Sequence, residues 1–256
     1  FTVSGTFAHS SGTITPSVSF VTTAAYTQSG TSVLSTVPTF TQTAGNVTFR
    51  STYSLTATGT YTIVAGTLTL GGNLTTGAFA STGTVTRSIA FSTFNIVLAH
   101  TTAATVVLSM ADLTNFTWSG TGGFTANGSI ARSFTCGSTA GGSITTAPNL
   151  AITAGASIPT FTTGSWFNNL DFTGSTATPA VSTVNVTGNL TLAAGGTYTN
   201  LSITAAGTGT ITNNAKTIAG FIVNNGNSNI FYNLPLDKSR KELLEVILND
   251  KRFVST

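Results

Sequence analysis

Few side chains in this 256-residue chain have the chemistry for acid–base, nucleophilic or metal work, and their spacing limits each of them. Before residue 237 the only carboxylates are Asp112 and Asp171. Glycoside hydrolysis ordinarily needs two carboxyl groups about 5–10 Å apart. These two are 59 residues apart, so they could meet only if the fold brought both to one face. Their settings, Met110-Ala-Asp-Leu113 and Asn169-Leu-Asp-Phe172, read instead as solvated or turn-capping aspartates. His9 and His100 are the only candidate bases for a serine nucleophile, and no Gly-x-Ser-x-Gly elbow accompanies them. Neither histidine has metal-ligand spacing with the other or with Cys136. That cysteine stands alone, so it forms no intramolecular disulfide and reads as a small buried hydrophobe. Gly122-Gly-Phe124 and Gly141-Gly-Ser143 are turn signals without the Lys and hydroxyl of a phosphate loop. The expectation is therefore no catalytic residue, no cofactor, no metal, and no enzyme.

Binding chemistry has one better candidate. In Trp166-Phe-Asn-Asn169, bulky rings adjoin two amides, a combination suited to a sugar, and Trp166, Asn168 and Asn169 are the expected glycan-facing residues. Thr-x-Thr pairs such as Thr60-Tyr-Thr62 and Thr67-Leu-Thr69 recur at irregular intervals. A flat ice-binding array would need one pair per turn of the chain in fixed register, so the intervals argue against one.

Any such residues must be positioned by a chain of unusual composition. Charged residues make up 6%, against about a quarter in ordinary globular domains. Hydroxyls replace them: 55 Thr and 27 Ser stand beside 27 Gly, over two fifths of the chain. Thr favours pleated strands and dense Gly disfavours helices, which excludes an ordinary helical or α/β enzyme. Disorder is excluded too, because 40% apolar residues including 17 Phe provide a core. The net charge of +3 rests on few titrating groups, and Arg50, Arg87, Arg132 and Lys216 are scattered. Nucleic-acid binding needs clustered cations and is not expected. No run approaches the ~18–20 apolar residues of a membrane span, and no leader peptide is visible ahead of Phe1.

Residues 1–228 repeat one theme of short apolar/hydroxyl alternation followed by a Gly, Asn or Ser turn. Thr67-Leu-Thr-Leu70, Thr183-Val-Asn-Val-Thr187 and Asn189-Leu-Thr-Leu192 show the period of two that marks strands with one buried face. Apolar positions recur every 8–11 residues from Leu190 to Ile218, and Leu190 and Ile211 stand two such steps apart. Three short strands per coil of roughly 20–25 residues predict an all-β fold, a β-solenoid resembling a parallel β-helix. β-Sandwich modules are the alternative, since they also turn every 8–12 residues. Gly66-Thr-Leu-Thr-Leu70 with Arg87-Ser-Ile-Ala-Phe91 is echoed by Gly188-Asn-Leu-Thr-Leu192 with Lys216-Thr-Ile-Ala-Gly-Phe221. This reads as an internal duplication of about 66–106 and 188–228.

The strings Gly72-Asn-Leu-Thr75, Thr84-Val-Thr-Arg-Ser-Ile-Ala-Phe91, Trp166-Phe-Asn-Asn-Leu-Asp-Phe-Thr-Gly174 and Gly188-Asn-Leu-Thr-Leu192 carry a family resemblance across residues 60–226. Together they resemble the Thr/Gly-rich repeat proteins of marine bacteriophages. The resemblance implies a virion structural or tail-fibre-like component and brings no catalytic or binding residue with it.

Residues 229–256 differ in kind, with nine charges between Asp237 and Arg252. Ser239-Arg-Lys-Glu242 is a capping box, and Leu243, Leu244, Ile247 and Leu248 follow as an apolar stripe. A short amphipathic helix is predicted, with Leu244, Ile247 and Leu248 buried as a cap or subunit contact. Functionally, the chain is expected at a virion or extracellular surface as a structural fibre, tail or capsid-associated protein. Its expected partners are copies of itself, other virion proteins and a host surface glycan. A bacterial surface adhesin or filament and a polysaccharide-degrading tailspike are the alternatives.

Overall fold

The computed structural model describes residues 1–193 except 104, 128 and 181, together with Gly195 and the strands Leu201–Ala205, Ile211–Thr212 and Val223–Asn224. The described chain is all strand and turn, and every strand pairing is parallel. Parallel neighbours exclude the hairpin-built β-sandwich. A helix over 239–249, with Leu244, Ile247 and Leu248, lies outside the described residues.

From Thr39 to Ala126 the strands visit three sheets in rotation; before that, the place of the third sheet is taken by the pair Thr13–Ile14 and Val33–Leu34. The first sheet stacks Thr2–Val3, Ser19–Thr22, Thr39–Gln42, Thr60–Ile63, Ala78–Ser81, Thr105–Asp112, Arg132–Ala140 and Thr160–Phe161. The second runs from Phe7–His9 through Gly66–Leu70 to Phe116–Gly120. The third runs from Tyr53–Ser54 through Leu74–Thr76, Ile96–Leu98 and Phe124–Ala126 to Ile211–Thr212. Between Thr2 and Ala140, every pairing joins strands three places apart along the chain, an arrangement consistent with a β-helix-like coil. Leu190 pairs with Ile211, the two residues whose spacing suggested such a circuit. A four-stranded sheet beginning at Ser165–Phe167 follows the point where the second sheet ends.

Alternation explains which side is core. In Thr39-Phe-Thr-Gln42 and Thr60-Tyr-Thr-Ile63, the second and fourth residues are buried and the threonines face out. Because stacked strands are in register, like lies over like. Phe20, Phe40, Tyr61 and Phe79 form a column of rings with centroids 4.8, 4.8 and 5.7 Å apart and interplanar angles of 18°, 10° and 1°. Offset stacking adds about 0.5–1.5 kcal/mol per pair beyond burial. Outside, Thr39 lies over Thr60 and Thr41 over Thr62. The intervals between Thr-x-Thr pairs are uneven because chain is added at the corners, while Thr39–Gln42, Thr60–Ile63 and Ala78–Ser81 stay in register. From the third sheet to the first, Thr76 and Ala78 are separated by Gly77 alone. One circuit later the connection runs from Leu98 to Thr105.

Candidate functional site

Asn-Leu and Asn-Ile pairs open five strands of the third sheet, at Asn73, Asn95, Asn149, Asn169 and Asn189, and their amides join the circuits. Asn73 Oδ1 accepts from Asn95 N (2.9 Å), and Asn95 Oδ1 accepts from Gly123 N (3.1 Å). Asn149 Nδ2 donates to Gly122 O (3.1 Å), while its Oδ1 accepts from Asn168 Nδ2 (2.9 Å) and Asn169 Nδ2 (3.0 Å). Asn169 Oδ1 in turn accepts from Asn189 N (2.7 Å), and Thr187 Oγ1 donates to Asn168 Oδ1 (3.2 Å). The partners are 22 residues apart at Asn73–Asn95, 28 at Asn95–Gly123 and 20 at Asn169–Asn189, so the ladder tracks circuit length.

This places Asn168 and Asn169, the sequence's glycan candidates, inside a network that uses their amide groups. The neighbouring Trp166 is half-buried, with its indole against the Gly142 backbone: a Cβ on Gly142 would lie 2.3 Å from Trp166 Cδ1. Sequence reasoning singled out these residues for ligand chemistry and missed the ladder. Its signal was present in the recurrence of Asn73-Leu, Asn95-Ile, Asn149-Leu, Asn169-Leu and Asn189-Leu.

The titratable candidates are spread over the stack. Asp112 ends a strand of the first sheet and Asp171 faces outward on the third, so the two carboxylates occupy different sheets. Each closes a local turn, Asp112 Oδ1 accepting from Thr114 N (2.7 Å) and Asp171 Oδ1 from Thr173 N (2.7 Å). The Thr114 hydrogen bonds hold the Asp112 carboxyl below its ordinary value. His9 is buried in the second sheet. Its Nε2–H donates to Gly12 O (3.1 Å) because a carbonyl can only accept, and Nδ1 then accepts from the Tyr26 hydroxyl (3.1 Å). His100 lies beyond the strand Ile96–Leu98, its Nδ1 accepting from Thr102 N. Cys136 is fully buried and burial pushes its thiol up, away from the reactive thiolate. Among the described residues no three His, Cys, Asp or Glu side chains group as metal ligands. Nor is any helix long and apolar enough to cross a membrane.

Two arginines point into the fold. Arg87 fills the corner between first and second sheets. Its Nε donates to Ser81 Oγ (2.8 Å), Nη1 to Gly83 O and to Val85 O (2.9 Å), and Nη2 to Asp112 O (2.8 Å). Arg132, between third and first sheets, makes one such bond, from Nη2 to His100 O (2.8 Å).

Three phenols are buried against the ring column. Tyr61 donates to Gln42 Oε1 (2.8 Å), and Gln42 Nε2 passes the contact to Gly45 O and Thr67 O. Tyr53 donates to Ser35 O and is raised well above its ordinary value, as is Tyr61, while Tyr26 is pushed up to about 12. Burial is the main cause in each case. A phenol whose folded pKa is raised stays neutral in the fold while the unfolded chain ionises at about 10. Stability is therefore complete below pH ~10 and falls as pH rises beyond it, by about 1.4 kcal/mol per unit for each tyrosine. Melting curves by circular dichroism should show a steep fall in Tm above pH 10, and an unchanged Tm at pH 11.5 would contradict this burial.

Comparison with protein-family models, curated proteins and solved structures returned no match.

Proposed function

We propose that the stacked circuits form one β-solenoid, and that it serves as a structural component of an extracellular assembly. The reading is a viral fibre, tail or capsid-associated protein acting in assembly or host attachment. The observation that carries it is the repetition itself. The first sheet is eight strands deep, about 34 Å at ~4.8 Å per strand. It is ribbed inside by aromatic rings and faced outside by hydroxyls. Thr41, Thr62, Ser109, Thr135 and Thr162 all stand in one outward rank, broken between Thr62 and Ser109 by Ala80. Stiffness from in-register stacking suits a load-bearing rod, and the resemblance to Thr/Gly-rich phage repeat proteins points the same way.

The described sheets carry very few of the Lys and Glu side chains that normally keep strands of different copies apart. Copies of the same chain are accordingly the first expected partner, with other virion proteins and a host glycan after them. Sedimentation of the full chain at micromolar concentration should give a homo-oligomer, and a monodisperse monomer would overturn the self-association. Antibodies against the repeat region should label fibres or tails of intact particles by immunogold microscopy. Labelling of bacterial surface filaments instead would move the protein to the adhesin class, and release of oligosaccharide from a capsule would make it a tailspike.

A further inference from the structure

The contrast between the two inward arginines carries an inference independent of the assembly reading. Arg132 opens the strand Arg132–Ala140 and faces the same side as the buried Phe134 and Cys136, with 4% of its surface exposed. Arg87, equally enclosed, has protein acceptors at Nε, Nη1 and Nη2. In Arg132 only Nη2 has one; Nε and Nη1 are buried without any hydrogen-bond partner. A native fold rarely leaves buried donors unmet, and when it does an ion or water ordinarily occupies the place.

Charge decides between these occupants. A guanidinium stays protonated, so Arg132 brings a full positive charge into the fold. The carboxylates among the described residues do not answer it. Asp112 ends the strand whose first residue, Thr105, is the one paired with Arg132, about 23 Å away at ~3.3 Å per residue. Asp171 faces outward on the third sheet beside Thr173. Burial alone, with no carboxylate attraction opposing it, lowers the guanidinium's pKa. A water molecule would satisfy the two donors and leave the charge unbalanced, whereas an anion answers both.

We propose that Nε and Nη1 of Arg132 hold a small monatomic anion of the chloride class, enclosed at the corner between the third and first sheets. Both nitrogens are sealed from solvent, which favours a halide over a bulky oxyanion. Binding to the folded state alone stabilises it in proportion to the logarithm of anion concentration. The test follows the Tm of the full chain as chloride replaces gluconate at constant ionic strength. The wild type should gain several degrees, and Arg132→Met should show no chloride response. A crystal of the wild type grown in bromide provides the second reading, independent of whether the variant folds. An anomalous peak within hydrogen-bonding distance of Nε and Nη1 supports the site. Water or empty density at that position, or an equal chloride response in wild type and Arg132→Met, overturns it.

Discussion

Gly66→Ala is expected to unfold the stack, at a cost above about 4 kcal/mol, the range reserved for exceptional single substitutions. Gly66 turns the corner from the first sheet to the second with φ +86°, a region that residues with a Cβ avoid. The backbone strain is the smaller part of the cost. A Cβ at this position would lie 1.8 Å from Gly45 O, and that oxygen belongs to the backbone of the preceding circuit. Gly45 is itself at φ +73°, its own absent Cβ only 2.3 Å from the Ala24 carbonyl carbon, so it has no room to retreat. Relief would require the two circuits to separate, breaking the register of Leu68 with Val47 and of Tyr61 with Phe40. Urea unfolding followed by far-UV circular dichroism measures the effect. A midpoint within 0.5 M of the wild type would show that the circuits are not stacked as closely as described.

Phe40→Ala ranks next. Phe40 is fully buried and touches Phe20 and Tyr61 in the ring column at 4.8 Å on each side, with Phe49 edge-on at 5.6 Å. Its neighbours belong to stacked strands, so they cannot close over the gap without changing the strand spacing. An unrelaxed cavity puts the loss at about 3–5 kcal/mol. Phe40→Leu fills most of the space and should lose substantially less, which separates a packing effect from a general intolerance of the site. Equal midpoints for the two variants would contradict the rigid column.

How much of this could be read from the residues alone differs from place to place. The strand at Thr67-Leu-Thr-Leu70 was legible because its alternation is local, and local alternation reports burial directly. The circuit was legible through Leu190 and Ile211, whose separation matched one turn of chain. What could not be read was that Thr41 and Thr62 share a rank, because register is fixed by backbone pairing and sequence distance blurs it wherever a corner lengthens. The hydrogen bonds from Asn168 and Asn169 to Asn149 could not be read either, because a side chain's partner 19 or 20 residues away is invisible to a local reading. The inward turn of Arg87 and Arg132 was hidden for a related reason. Composition treats every arginine as surface charge, and only the widened corners make an interior place for one.

Those corners have a consequence for how such a chain changes over time. Between the third and first sheets the link is a single glycine in one circuit, while in the next it spans the interval from Leu98 to Thr105. Ile96 nevertheless pairs with Leu74 on one side and Phe124 on the other without slippage. On the third sheet the added length leaves the pairing in step, while on the first the strand that follows it, Thr105–Asp112, shifts register against Arg132–Ala140 between Val106 and Leu108 and again between Met110 and Asp112. The added residues 101–103 are exposed, so descendants can vary such a loop while inheriting the same third-sheet pairing. For the protein engineer the exposed stretch 101–103 is the natural grafting point, whereas the Gly77 corner is closed, since even a Cβ there would lie 2.5 Å from Ala57 O.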